Sequence, residues 1–143
     1  MWGEACLNKL NGIFAFAIWD RDKECVSLVR DPVGVKPLYY RSEQGKLWFS
    51  SELKALVKVG KGRPNIDQVS LDIYLRLLYV PAPRTMLEGI YKLPAGHLLR
   101  FQKGVHELVS WTCIEEGERI SSYQEARALV RDTVQASVAR QLV

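Results

Sequence analysis

The 143-residue sequence is poor in the residues on which much site chemistry depends. It has two histidines and three cysteines, no Cys-x-x-Cys pair, and neither His97 nor His106 at a spacing that suggests zinc. Cys6, Cys25 and Cys113 are far apart and odd in number. A Cys–His pair stays open, because neighbours in space need not be neighbours in sequence. Yet Cys6 lies in a helical pattern and Cys25 opens a strand-like run, where a reduced cysteine usually serves as a small apolar filler. No segment is long and apolar enough to span a bilayer. Met1-Trp2-Gly3-Glu4 has neither a basic n-region nor an apolar h-region, so the cytoplasm is the expected compartment. Neither sign of charge dominates: 20 basic residues face 16 acidic ones, and they are scattered. The densest spot, Lys58 to Arg63 ("KVGKGR"), carries two glycines and reads as a linker. A nucleic-acid binder would concentrate that charge in one patch, so no nucleic-acid role is expected. Repeats and low-complexity segments are absent as well.

What is present is a soluble, globular composition, 48% hydrophobic and 25% charged, in a length typical of one domain. Residues 2–10 end a helical pattern at Asn11-Gly12. Ile13–Trp19 is continuously apolar and fits a strand buried on both faces. Asp20–Lys23 is a polar turn leading to a second strand, "CVSLVRD". "PLYYRS" and "KLWFSS" form another hairpin about Glu43-Gln44-Gly45, and "GHLLRF" with "HELVSW" a third about Lys103-Gly104. Their aromatic residues alternate as strand-core residues do.

Helices lie between and after these strands. Ser50 or Ser51 can cap "ELKALVKV", and Asn65 or Asp67 can cap "QVSLDIYLRLLYV", which Pro81 and Pro83 end. Ser121 with Gln124, and Ser122 with Glu125, both have capping-box spacing. They open a helix with Ala126, Leu129, Val130, Thr133, Ser137 and Val138 on one face. The fold class read from this pattern is α+β, with two antiparallel β layers followed by helices and a late hairpin. The strand edges and apolar surface left open lead us to expect self-association of the isolated chain.

"RDPVGVKPLYY", running from Arg30, is the most informative loop. It sets an Arg-Asp pair at a strand end and a lone lysine before the next strand, among two prolines and a glycine. It is either a solvated turn or a rigid loop in which Arg30 and Asp31 brace the backbone by charge-assisted hydrogen bonds while Pro32, Gly34 and Pro37 fix its path. His97, ahead of an apolar strand, reads as a hydrogen-bonded structural histidine.

The block "LNGIFAFAIWDRDKECVSLVRDPVGVKPLYYRSEQGKLWFSSELKAL" closely resembles the later part of the glutaminase domain of glutamine-hydrolysing asparagine synthetases, a class II amidotransferase domain. "YVPAPRTMLEGIYKLPAGHLLRF" resembles the segment leading out of that domain, and "SYQEARALVRDTVQASVARQLV" the first helix of the synthetase domain. The resemblance covers nearly the whole chain, in order. It implies part of an αββα sandwich of the N-terminal-nucleophile type. Residues 1–64 would be the later glutaminase domain, 65–120 a domain-crossing segment with a helix and the late hairpin, and 121–143 the start of the synthetase domain.

The family hydrolyses glutamine through a cysteinyl thioester, with the amino group of an N-terminal cysteine as base. Ammonia then passes through a tunnel to an aspartyl-adenylate made from ATP and aspartate. This sequence departs from that pattern. Trp2 follows Met1, neither Cys6 nor Cys25 lies where the nucleophile belongs, and no Ser-Gly-Gly-x-Asp-Ser phosphate loop occurs. The resemblance therefore implies a fragment with no catalytic, substrate-binding or metal residue of its own, inactive alone. Arg30, Asp31, Gly34 and Lys36 would be structural supports of a loop near the domain interface. Glutamine, aspartate, ATP and Mg would belong to the full-length enzyme, with a homodimer as a further expectation. The alternatives are a related amidotransferase acting on another carboxylate, or a non-catalytic α+β interaction module.

Overall fold

The computed structural model describes residues 3–60, 62–112, 117 and 119–142. Met1, Trp2, Lys61 and Cys113, on which parts of the sequence reading fall, lie outside the described residues. The chain divides into two compact units, Met1–Cys113 and Ile114–Val143.

The first unit is α+β. A 3-10 helix, Gly3–Lys9, precedes a four-stranded antiparallel sheet ordered β1 (Ala15–Asp20), β2 (Cys25–Arg30), β6 (His97–Gln102), β7 (Val105–Ser110). A three-stranded antiparallel sheet is ordered β4 (Lys46–Ser50), β3 (Tyr39–Glu43), β5 (Tyr91–Lys92). Strand periodicity explains how they meet. On β2, Val26 and Leu28 point to one face and Cys25, Ser27 and Val29 to the other. Leu28 and its register partner Leu99 are fully buried with Leu38, Tyr40 and Leu93 of the other sheet's side, so the main core lies between the sheets. Burial of each such leucine contributes about 1.5–3 kcal/mol. On the opposite face Val29 and Leu98 pack with Leu7 of the 3-10 helix, Phe14, Phe16 and Trp111.

The hairpins close where turn chemistry placed them. Asp20 Oδ1 accepts the amides of Asp22 and Lys23, each at 3.1 Å, closing the first. Gln44-Gly45 and Lys103-Gly104 both take positive φ at two consecutive residues, as two-residue hairpin turns require.

Three expectations are corrected. Ile13–Trp19 is not buried on both faces. Among the described residues β1 is an edge strand paired with β2 alone, and Ile13, Ile18 and Trp19 stay exposed, Trp19 at 59%. Neither Ser50 nor Ser51 caps α1, which is only Leu53–Leu56: its N-cap is Glu52 without a side-chain bond, and the Ser50 hydroxyl is spent accepting the Glu52 amide at 3.1 Å. The helix that Pro81 was to end, α2 (Gln68–Leu77), stops earlier because Leu78 turns left-handed at φ 63°. Asp67 rather than Asn65 caps it, accepting the Ser70 amide at 2.6 Å.

The second unit holds α3, Tyr123–Gln141, whose N-cap Ser122 accepts the Glu125 amide at 3.5 Å. None of its described residues is buried, and Leu129, Val130, Val134 and Val138 are exposed.

Candidate functional site

Strand β2 delivers Arg30 and Asp31, both buried, at the point where the chain leaves the four-stranded sheet. They do not pair with each other but divide the loop's backbone between them. Arg30 donates from Nε to the Lys36 carbonyl at 2.7 Å and from Nη1 to the Leu93 carbonyl at 2.6 Å, and Nη2 reaches the Gly34 carbonyl. Asp31 takes the amides: Oδ1 accepts from Val33 at 3.2 Å and Val35 at 3.0 Å, and Oδ2 from Lys36 at 3.1 Å. Each bond joins a full charge to a backbone dipole, the stronger class of protein hydrogen bond.

The backbone of the pair is held as firmly. The Asp31 amide donates to the Phe14 carbonyl at 2.9 Å, and the Asp31 carbonyl accepts from Gly34 at 3.0 Å and Gly96 at 2.9 Å. Trp111 Nε1 donates to the Arg30 carbonyl at 3.2 Å. The loop is thus tied to the residue before β1, to the turn before β6 and to the residue after β7.

The charges respond to this environment. Burial would raise the Asp31 pKa, but the amides of Val35, Lys36, Gly34 and Val33 outweigh it and hold the carboxyl below its ordinary range. Burial lowers the Arg30 pKa, with the nearby Asp31 charge opposing. Burial, then the Arg30 charge, lowers that of Lys92 on β5.

Gly34 adopts φ +70° and leaves no room for a side chain against Arg30 and Ala95. Lys36 takes part through its amide and carbonyl, and its side chain is exposed. Val33 and Val35 project from the tip, exposed by 80% and 55%. Residues 30–37 contain no serine, cysteine or histidine, and the bonds of Arg30 and Asp31 hold an apolar tip in place.

Sequence reasoning missed a second brace of the same kind. Arg41, also buried, donates to the Val59 carbonyl at 2.8 Å and to Glu43 Oε2 at 2.8 Å. The signal available was an Arg-x-Glu pair on one strand face beside the "KVGKGR" glycines.

A cavity of about 630 Å³ lies on the outer face of the four-stranded sheet beside the 3-10 helix. Cys6 and Cys25 both line it, with Ile18, Trp19, Val29 and Leu98. Arg100 bridges Glu4 and Glu107 at its rim, 2.7 Å from each. No histidine lines it. His106 pairs with Phe101 in the ladder and touches Tyr40 on the inner face, with ring centroids 5.7 Å apart, so strand alternation puts it across the sheet from Cys25. His97 Nδ1 lies 2.7 Å from the Ala95 carbonyl. Neither cysteine of the cavity therefore has a histidine to act as its base. Among the described residues no group of three or more His, Cys, Asp or Glu could hold a metal ion, and no helix is long and apolar enough to cross a membrane.

The family model described as the glutamine amidotransferase domain matches residues 1–112. The chain is 34% identical over 143 residues to asparagine synthetase [glutamine-hydrolyzing] 3 of Bacillus subtilis, covering 99% of this chain and 23% of that protein. It is 33% identical over 108 residues to putative asparagine synthetase [glutamine-hydrolyzing] 2 of Methanocaldococcus jannaschii, covering 74% and 21%. It is 37% identical over 93 residues to asparagine synthetase [glutamine-hydrolyzing] 1 of Bacillus subtilis, covering 65% and 15%. The chain spans less than a quarter of the length of these relatives.

Proposed function

Since the chain belongs to the glutamine amidotransferase domain family, we propose that it is a portion of a glutamine-dependent asparagine synthetase working in the cytoplasm. On this reading the longer protein converts ATP, aspartate and glutamine to asparagine, glutamate, AMP and pyrophosphate. Residues 1–64 are the later glutaminase domain, 65–120 lead out of it, and 121–143 begin the synthetase domain. The supporting observation is the match with the Bacillus subtilis relative, which runs through 99% of the chain and so through both units.

In this role the chain's own residues support and do not react. Arg30 and Asp31 hold the loop from Val33 to Lys36 in one conformation beside the domain interface. Glutamine hydrolysis needs an activated nucleophile and donors aimed at the developing oxyanion. The environments of Cys6 and Cys25 supply neither, so glutamine, aspartate, ATP and Mg are assigned to the rest of the longer protein.

Two measurements test this. Reading the coding frame on both sides should find a Met-Cys-Gly start upstream and a Ser-Gly-Gly-x-Asp-Ser loop downstream. Unrelated sequence with stop codons on both sides would favour a free-standing interaction module instead. The purified 143-residue chain should release no ammonia from glutamine and form no AMP from ATP and aspartate. Turnover abolished by Cys6→Ala or Cys25→Ala would locate a nucleophile here and overturn the supporting role.

A further inference from the structure

Strand β6 holds both walls of the cavity on the outer face of the four-stranded sheet. Leu98, Arg100 and Gln102 alternate along it toward the cavity. Arg100 takes one wall, the 3-10 helix Gly3–Lys9: Nε donates to Glu4 Oε1 and Nη2 to Glu4 Oε2, each at 2.7 Å. Gln102 takes the other, the turn between β1 and β2, donating from Nε2 to the Lys23 carbonyl at 2.6 Å. The first wall is the weaker element. A 3-10 run of seven residues is long for a helix type whose hydrogen-bond geometry is poor. Leu7 is buried in it, packed with Val29 and Leu98, while Cys6 is half-buried and the other five residues are exposed.

We propose that the 3-10 helix is a strap over this cavity, latched by Glu4 on Arg100, and that the latch governs how readily solutes reach Cys6 and Cys25. This is independent of the reaction proposed above. The latch releases without stranding a charge. Arg100 also donates from Nη1 to Glu107 Oε2 at 2.7 Å, so it keeps an anionic partner when Glu4 leaves. The Glu4 side chain, already 49% exposed, passes to water. A fully buried pair broken in this way would leave an uncompensated charge and act as a fixed tie. Here the pair is half-exposed, so its attraction is modest and screened by salt. The strap therefore peels from its Glu4 end, with Leu7 as the inner hold. Cys6 lies between those two points and turns out with the strap. Cys25, buried in the sheet at the cavity, is reached once that wall has moved.

The test is timed iodoacetamide labelling of the purified chain at neutral pH, with each cysteine quantified on its own tryptic peptide by mass spectrometry. Rates are taken relative to a free cysteine peptide in the same buffer. In the native chain, Cys6 and Cys25 should label faster as sodium chloride screens the latch. Glu4→Ala and Arg100→Gln should each accelerate both by about fivefold at low salt and remove most of the salt dependence, the range open to an exposed ion pair. The two variants change the local charge in opposite directions. A direct effect of charge on the thiols would therefore speed labelling in one and slow it in the other, whereas release of the strap speeds it in both. Glu107→Gln leaves Arg100 to Glu4 and should label no faster than the native chain. Amide hydrogen exchange at Leu28 and Leu99 should stay native throughout, because the sheet remains folded. The salt series on the native chain decides the matter even if a variant fails to fold. Labelling indifferent to salt, opposite effects in Glu4→Ala and Arg100→Gln, acceleration in Glu107→Gln, or faster exchange at Leu28 and Leu99 in step with labelling would each overturn the proposal.

Discussion

Gly34 sits against the guanidinium it helps to hold: a Cβ placed on Gly34 would lie 3.0 Å from Arg30 Cζ and Nη2 and 2.9 Å from the Ala95 Cβ. Arg30 cannot step aside, because it is also tied to the carbonyls of Leu93 and Lys36. Gly34→Ala therefore meets two costs, the left-handed backbone at φ +70° and the lost space. Together they should lower stability by about 2–3 kcal/mol. Urea unfolding of native and variant chains measures this. An unchanged midpoint would mean that the loop does not depend on the fit between Gly34 and Arg30.

Asp31 gives a prediction with a pH signature. Asp31→Asn keeps an oxygen for the Val33 and Val35 amides but turns an NH2 group toward the Lys36 amide, donor against donor. At neutral pH the loss should be about 1.5–3 kcal/mol, the range for a hydrogen bond to a charged group. The folded-state pKa of Asp31 is lowered from its ordinary 3.8. Its stabilisation is therefore complete above that value and is lost as pH falls through the lower folded value. The gap between native and variant should be constant at neutral pH and narrow below about pH 4. A gap that widens on acidification would contradict the sign.

Two hairpin tips meet across the sheets, Gly45 after β3 and Gly104 after β6. A Cβ on Gly104 would lie 3.1 Å from the Gly45 Cα, whereas one on Gly45 would lie 3.7 Å from the Gly104 Cα, an ordinary contact. Both glycines have positive φ, so both alanine variants incur a backbone penalty of about 1–2 kcal/mol. Gly104→Ala should add to this the cost of moving backbone against backbone. Thermal unfolding should rank it below Gly45→Ala, and the reverse order would remove the tip contact as a factor.

How much of this was legible follows from the range of each interaction. The turns at Asp20–Lys23, Gln44-Gly45 and Lys103-Gly104 were readable because their chemistry lies within four residues, and so were the caps at Asp67 and Ser122. The α+β class follows from those turns with the strand runs. The position of a strand within its sheet is not local: Ile13–Trp19 reads as a doubly buried strand, yet β1 ends at an edge with Trp19 exposed. The pairing of the late hairpin with β2 joins segments far apart in the chain, as in Leu28 with Leu99, and no local pattern announces it. The loop residues Arg30, Asp31, Gly34 and Lys36 could be singled out from sequence. The Leu93 carbonyl and the Trp111 indole that meet Arg30 could not, because they arrive from just beyond β5 and β7 by way of the fold.

Asp67 ties α2 to the rest of the first unit, and its removal should act locally. One oxygen accepts the Ser70 amide at 2.6 Å, the carboxylate pairs with Arg84 at 3.2 Å, and the Asp67 carbonyl accepts the Leu71 amide at 2.9 Å as the first helical bond. The amide of Ser70 does most to lower the Asp67 pKa, and Arg84 adds to it. Asp67→Ala removes cap and ion pair together, whereas Asp67→Asn keeps a good cap and loses only the charge. Amide hydrogen exchange at Ser70 and Leu71 should therefore accelerate strongly in Asp67→Ala and weakly in Asp67→Asn, while Leu28 and Leu99 in the four-stranded sheet keep native rates. Acidification of the native chain should reproduce the Asn behaviour, since protonation removes the charge while leaving an oxygen to accept from Ser70. Equal acceleration at Ser70 and Leu28 in Asp67→Ala would show instead that α2 and the sheet open as one cooperative unit, and Asp67 would no longer be a local tie.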